Sequence, residues 1–128
     1  FYLAVHDFFT EAARILLSPD TPCGCMVVLA AVNISEEETD IIQDLRKRRL
    51  ETRDMFARKI RQAVDEGQLP ADTSPESLAC AFNTFLEGMS LQAQSGMSVK
   101  EMEAMASYAV RMLPKWRNHV KHLPDSSE

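Results

Sequence analysis

Residues 67–98, GQLPADTSPESLACAFNTFLEGMSLQAQSGMS, decide how this chain folds. Gly67 is a natural helix stop, because only glycine enters the left-handed region without a steric penalty. The polar loop that follows ends on Thr73 or Ser74 as an N-cap, with Pro75 in the first turn and Glu76 beside the positive end of the helix dipole. The spacing predicts a helix over 75–95, closed by Gly96. Two stripes run along it. Leu78, Phe82, Phe85 and Met89 are large, while Ser77, Ala81, Thr84, Gly88 and Ser95 are small and joined by Leu91. Spacings of three and four in alternation are those of a helix–helix seam. Gly88 sits in mid-helix at a cost of about 1 kcal/mol against alanine, which suits a close backbone approach.

The next element behaves alike. Ser98 and Glu101 form a capping box that opens a helix running to Leu113, before Pro114. Met102, Ala106, Ala109 and Leu113 make one face, and Met105, Tyr108 and Met112 widen it beyond the stripe of a one-sided surface helix. Two helices apolar on two sides are expected to pack inward and against a second copy, through Ala81, Thr84, Gly88, Leu91, Ser95 and Ala109. The alternative is that both are central helices of a monomer. Trp116, Val120 and Leu123 extend the pattern by one or two turns, and residues 124–128 read as a frayed tail, so the domain is expected to span 1–123.

Upstream of Gly67, Ser35 with Glu38 reads as another capping box, starting a helix to about Glu66. Its inner stripe is Ile41, Ile42, Leu45, Thr52, Phe56, Ile60 and Ala63. Residues 23–34, CGCMVVLAAVNI, are apolar all round; with no partner strand elsewhere, they read as a short buried helix. In the first segment Phe1, Ala4, Val5, Phe8, Ala12, Ile15 and Leu16 share a face opposite His6, Thr10 and Arg14, and Pro19 to Pro22 end it. The fold class is all-α, a bundle of about five helices around a short central one. The pattern is already running at Phe1, which reads as a piece of a longer chain.

Composition narrows the function. A chain of 128 residues with 45% hydrophobic residues can bury a core without staples. A net charge of −5 argues against holding nucleic acid by its bulk field. Residues 46–61 hold 8 of the 14 basic residues, but Asp44 to Arg48 and Asp54 to Arg58 are i,i+4 pairs, the mark of a solvated face. No run approaches the roughly 20 apolar residues of a membrane span. Cys23, Cys25 and Cys80 form no disulfide framework and suit a cytoplasmic, reduced setting. Cys23 and Cys25 with His119 and His122 match no common zinc spacing, so no metal and no cofactor is expected. Nothing resembles a catalytic triad, a carboxylate pair or a phosphate loop, and no enzymatic activity is expected.

Seven Met and six Phe are many for a chain this size. Met fills irregular space and adapts to varied ligands, and helical bundles place ligand sites between helices. A pocket is expected among Phe8, Met26, Phe56, Phe82, Phe85, Met89 and Tyr108. Arg49, bordering the apolar stripe of the long helix, offers it a cationic corner. An aromatic stripe at helical spacing is more commonly plain core, and an Arg in such a place commonly lays its stem over apolar surface.

A resemblance bears on that choice. CGCMVVLAAVN resembles the Gly-Cys apolar helix of the C-terminal domains of tetracycline-repressor-family regulators. Gly67, Leu69, Pro70, Pro75, Glu76, Gly88, Gln92, Ala93 and Gly96 are similar to the family's second pattern, in order and spacing. The resemblance covers about residues 1–113; the doubled thiol around Gly24 and the tail after Pro114 depart from it. It implies a pocket between the helices for a small, apolar or amphipathic effector, and a homodimer in which the last two long helices of each copy form a four-helix bundle. Effector binding would release DNA from an N-terminal helix-turn-helix, which this chain lacks, so DNA contact is expected only through that missing domain. The residues alone leave a second reading open: a helical homodimerisation module with a filled core and no ligand.

Overall fold

A computed structural model describes residues 1–20 and 39–114. These form four helices, α1 (Tyr2–Leu16), α2 (Thr39–Asp65), α3 (Pro75–Gln94) and α4 (Val99–Arg111), and no strand occurs among the described residues. The expected buried helix at 23–34, the Ser35 cap and everything after Pro114 lie outside the described residues, as does Met26.

The caps set the boundaries. Ser74, not Thr73, caps α3: its hydroxyl accepts from the Ser77 backbone N–H at 3.2 Å, and Pro75 begins the first turn. At α4 the capping box is complete. Ser98 Oγ accepts from the Glu101 N–H at 3.2 Å, and the Ser98 N–H donates to Glu101 Oε2 at 2.8 Å. Gly67 and Gly96 turn the chain at φ 73° and 84°, and the Gln68 N–H closes the end of α2 on the Ala63 carbonyl at 2.8 Å.

The helices associate in pairs. α2 and α3 form one antiparallel hairpin, tied at its closed end by Arg61 and Glu76. α1 and α4 form the other: Tyr2 Oη donates to the Pro114 carbonyl at 2.6 Å, and Arg14 Nε to Glu103 Oε1 at 3.0 Å. α3 joins the pairs by touching both α1 and α4. α1 and α4 pack closely, and Ala13 on the one and Met102, Ala106 and Ala109 on the other are fully buried. The core continues through Phe9, Ile60, Leu69, Ala79 and Met89. At 27 residues, α2 is about 40 Å long and outruns the 20 residues of α3, so Ile41 at its start is half exposed while Phe56, Ile60 and Ala63 are buried.

The face of α1 is rotated from the expected one. Val5, Phe9 and Ala13 are buried, whereas Phe8 is 38% and Ile15 56% exposed. Apolar residues at 5, 8, 9, 12, 13 and 16 cover so much of the helix that periodicity alone does not select its innermost line. Contacts with two neighbours, α4 and α3, select it.

Candidate functional site

α1 and α2 do not pack backbone to backbone. Aromatic rings bridge the gap between them instead. Phe8 meets Phe9 and Phe56 at centroid distances of 5.3 Å, Phe9 meets Phe82 at 5.6 Å, and Phe56 meets Phe82 at 5.8 Å. All four contacts are edge-to-face, with interplanar angles of 76–85°, and they close a cycle drawn from three helices. Phe85 adds an edge to Phe9 at 5.0 Å.

This cycle walls a cavity of about 410 Å³ that is partly open to solvent, within the size range of small-molecule sites. Phe1, Ala4 and Val5 complete the α1 side, and Met55 and Ala63 the α2 side. Polar groups stand at its rim in one linked set. Glu66 Oε1 accepts from Gln62 Nε2 and Glu66 Oε2 from Gln68 Nε2, both at 2.7 Å; the Phe1 backbone nitrogen donates to Gln68 Oε1 at 2.9 Å. Lys59 lines the same wall.

Of the expected lining residues, Phe8, Phe56 and Phe82 come together here. The others lie elsewhere. Phe85 stands behind Phe9, and Met89 is fully buried in the core. Tyr108 is 59% exposed on α4, with the Arg111 guanidinium 5.2 Å from its ring centre. It is adjacent to buried Ala109, and one residue along a helix turns a side chain by about 100°. Arg49 is half-buried on α2, ten residues or about 15 Å before Lys59, and is not part of the lining. Lys59 takes the cationic place, and the rim amides were missed. Phe56, Lys59, Ala63 and Glu66 recur at three- and four-residue intervals, a helical face legible once Phe56 is put in the wall.

The expected seam on α3 divides differently. Ala81, Thr84, Leu91 and Ser95 are exposed, and Gly88 is half-buried with open space where a Cβ would stand. Thr84 Oγ1 and Ser95 Oγ donate to the carbonyls of Cys80 and Leu91 on their own helix, at 2.9 and 3.3 Å. Ala109 is no part of this surface, because α1 covers it within the chain. Tyr108 and Met112 are the exposed apolar side chains near it on α4.

Electrostatics are strongest at helix ends. The Glu76 carboxyl is lowered by its own backbone N–H and then by Arg61, and that of Glu101 by the Ser98 N–H and then its hydroxyl. Arg48 is raised by its hydrogen bond to Asp44. Among the described residues no helix is long and apolar enough to cross a membrane, and no cluster of His, Cys, Asp and Glu could hold a metal. Cys23, Cys25, His119 and His122 lie outside those residues.

This arrangement of helices matches known proteins. Residues 4–122 match the model of the tetracyclin repressor-like C-terminal domain, and the chain belongs to that family of transcriptional regulators. It is 27% identical over 112 residues to the HTH-type transcriptional repressor ComR of Escherichia coli (strain K12), covering 88% of this chain and 53% of ComR. Two solved structures of cysteine mutants of the TetR family transcriptional regulator CifR, each complexed with 26 bp operator DNA, superpose with TM-scores of 0.83 at 31% and 30% identity. They cover 88% of this chain and 59% of CifR. The chain thus spans somewhat more than half the length of these relatives.

Proposed function

We propose that this domain is the effector-sensing and dimerising part of a one-component cytoplasmic repressor, with the α1–α2 cavity as its effector site. The observation that carries the reading is the closed edge-to-face cycle of Phe8, Phe9, Phe56 and Phe82. A plain core would let α1 and α2 close on each other, whereas these rings hold them apart around a cavity. DNA contact belongs to a helix-turn-helix outside residues 1–128, as the operator complexes of CifR suggest by analogy. No enzymatic role is proposed.

Association runs through Ala81, Thr84, Gly88, Leu91 and Ser95 of α3 with Tyr108 and Met112 of α4, pairing with the same surface of a second copy as a four-helix bundle. Sedimentation of the chain at micromolar concentration should give a dimer, and Gly88→Phe should weaken it by holding the backbones apart. A monomeric mass for the unaltered chain contradicts this half of the reading.

The sensing half is tested by thermal shift with one- and two-ring aromatic compounds. A ligand at a hundred times its Kd raises the transition by on the order of 10 °C. Ala4→Trp, which hangs a large ring into the cavity from an exposed position, should abolish the shift. A shift of the same size in that variant places binding elsewhere.

A further inference from the structure

The charge left over at the cavity rim points to a class of ligand. Both oxygens of Glu66 already accept hydrogen bonds, from Gln62 and Gln68, and Gln68 Oε1 accepts from the Phe1 backbone nitrogen. Those groups answer one another. Lys59 is different. On the same helix Arg48, Arg53 and Arg61 each hold a carboxylate, from Asp44, Asp54 and Glu76, and of the basic residues shown with no such partner, Arg46, Lys47, Arg58 and Lys59, Lys59 alone lines the cavity. Among the described residues the Lys59 ammonium has neither an ion pair nor a hydrogen bond. The cause lies in the sequence: its neighbours four and three residues to either side are Met55, Phe56, Gln62 and Ala63, none of them acidic. These same residues line the cavity beside it, so the unanswered cation stands at the edge of an aromatic wall.

Resting on the cavity being the effector site, we infer that its ligand is a compact aromatic carboxylate of one or two rings. The ring lies against Phe8, Phe56 and Phe82, where further edge-to-face contacts are available, and the carboxylate meets the Lys59 ammonium. A volume of about 410 Å³, in the lower part of the range for such sites, suits a ligand of that size. Glu66 stands seven residues on, about 10 Å away just past the end of α2, which directs the anionic end toward Lys59 and the uncharged end toward the rim amides. A cationic ligand is disfavoured by Lys59 itself, and the carboxylate that would receive it is occupied by the two amides.

The test compares naphthoate with its uncharged isostere naphthamide by calorimetry, on the unaltered chain, Lys59→Gln and Lys59→Arg. Lys59 is exposed, so both variants keep the fold. The unaltered chain should bind naphthoate roughly fivefold tighter than naphthamide, the scale of a partly exposed charge pair. The preference should vanish in Lys59→Gln, persist in Lys59→Arg and fade with added salt. Equal binding of the two probes overturns the carboxylate assignment and leaves the cavity reading standing. So does a preference that survives in Lys59→Gln, which would place the anion away from Lys59. If neither probe binds any of the three proteins, both the assignment and the effector-site reading fall.

Discussion

The two flanks of α1 are equally apolar and end in opposite ways. Toward α4 the buried residues include alanines, Ala13 on α1 and Ala106 and Ala109 on α4, all fully buried, and the helices pack backbone to backbone. Toward α2 the facing residues are Phe8 and Phe56, whose rings meet at 5.3 Å while the backbones stay apart, and a cavity remains. Hydrophobicity decides which faces leave water. Side-chain volume decides how near the helices then come, because rings meeting edge to face are props as well as contacts.

Phe9 links the cavity wall to the core, being fully buried and touching Phe8, Phe82 and Phe85. Phe9→Ala should have the largest effect, a loss of about 3–5 kcal/mol in urea denaturation. A loss under about 1 kcal/mol would mean that the core re-forms without it and that the cavity wall is not anchored by this ring.

The sharper comparison inserts the same three carbons on each flank. Ala13→Leu overpacks the seam and should cost about 1–3 kcal/mol, whereas Ala4→Leu enters the cavity and should stay within about 0.5 kcal/mol. Equal losses in the two variants would show that the α2 flank is as tightly filled as the α4 flank.

The contrast was partly legible in advance. Caps depend on local residues, and so Ser98 with Glu101, Pro75, Gly67 and Gly96 could be read in place. The apolar face of Met102, Ala106, Ala109 and Leu113 was legible too, although Ala109, expected against a second copy, is buried within the chain. The rotation of α1 was not legible, since its apolar residues nearly encircle it and only the two helices packed on it choose between Phe8 and Phe9. For the same reason Arg49 reads as the cationic corner in the sequence, whereas the position of Phe56 in the wall puts Lys59 beside the cavity. Tyr108 belonged to a stripe too wide for one neighbour, and its exposure puts it on the outer side.

The smallest effect lies outside both flanks, at the cap of α4. The Glu101 carboxyl is held below its ordinary value of 4.5 by the Ser98 N–H and hydroxyl. A lowered folded value means that its stabilising contribution is complete above the unfolded value, and is lost as pH falls through the folded one. Melting temperature should therefore decline as pH drops below about 4.5, by less in Glu101→Gln than in the unaltered chain. Parallel pH profiles for the two would remove the cap from the account and leave the comparison of flanks untouched.

The central claim is that aromatic props keep a ligand-sized space open between α1 and α2. A crystal structure of the chain grown with naphthamide tests it most directly, because the uncharged probe depends on the cavity and not on Lys59. The account predicts density for the probe against Phe8, Phe56 and Phe82, with the backbones of α1 and α2 still apart. Rings collapsed together, the two helices in backbone contact and no void beyond a few waters would contradict it.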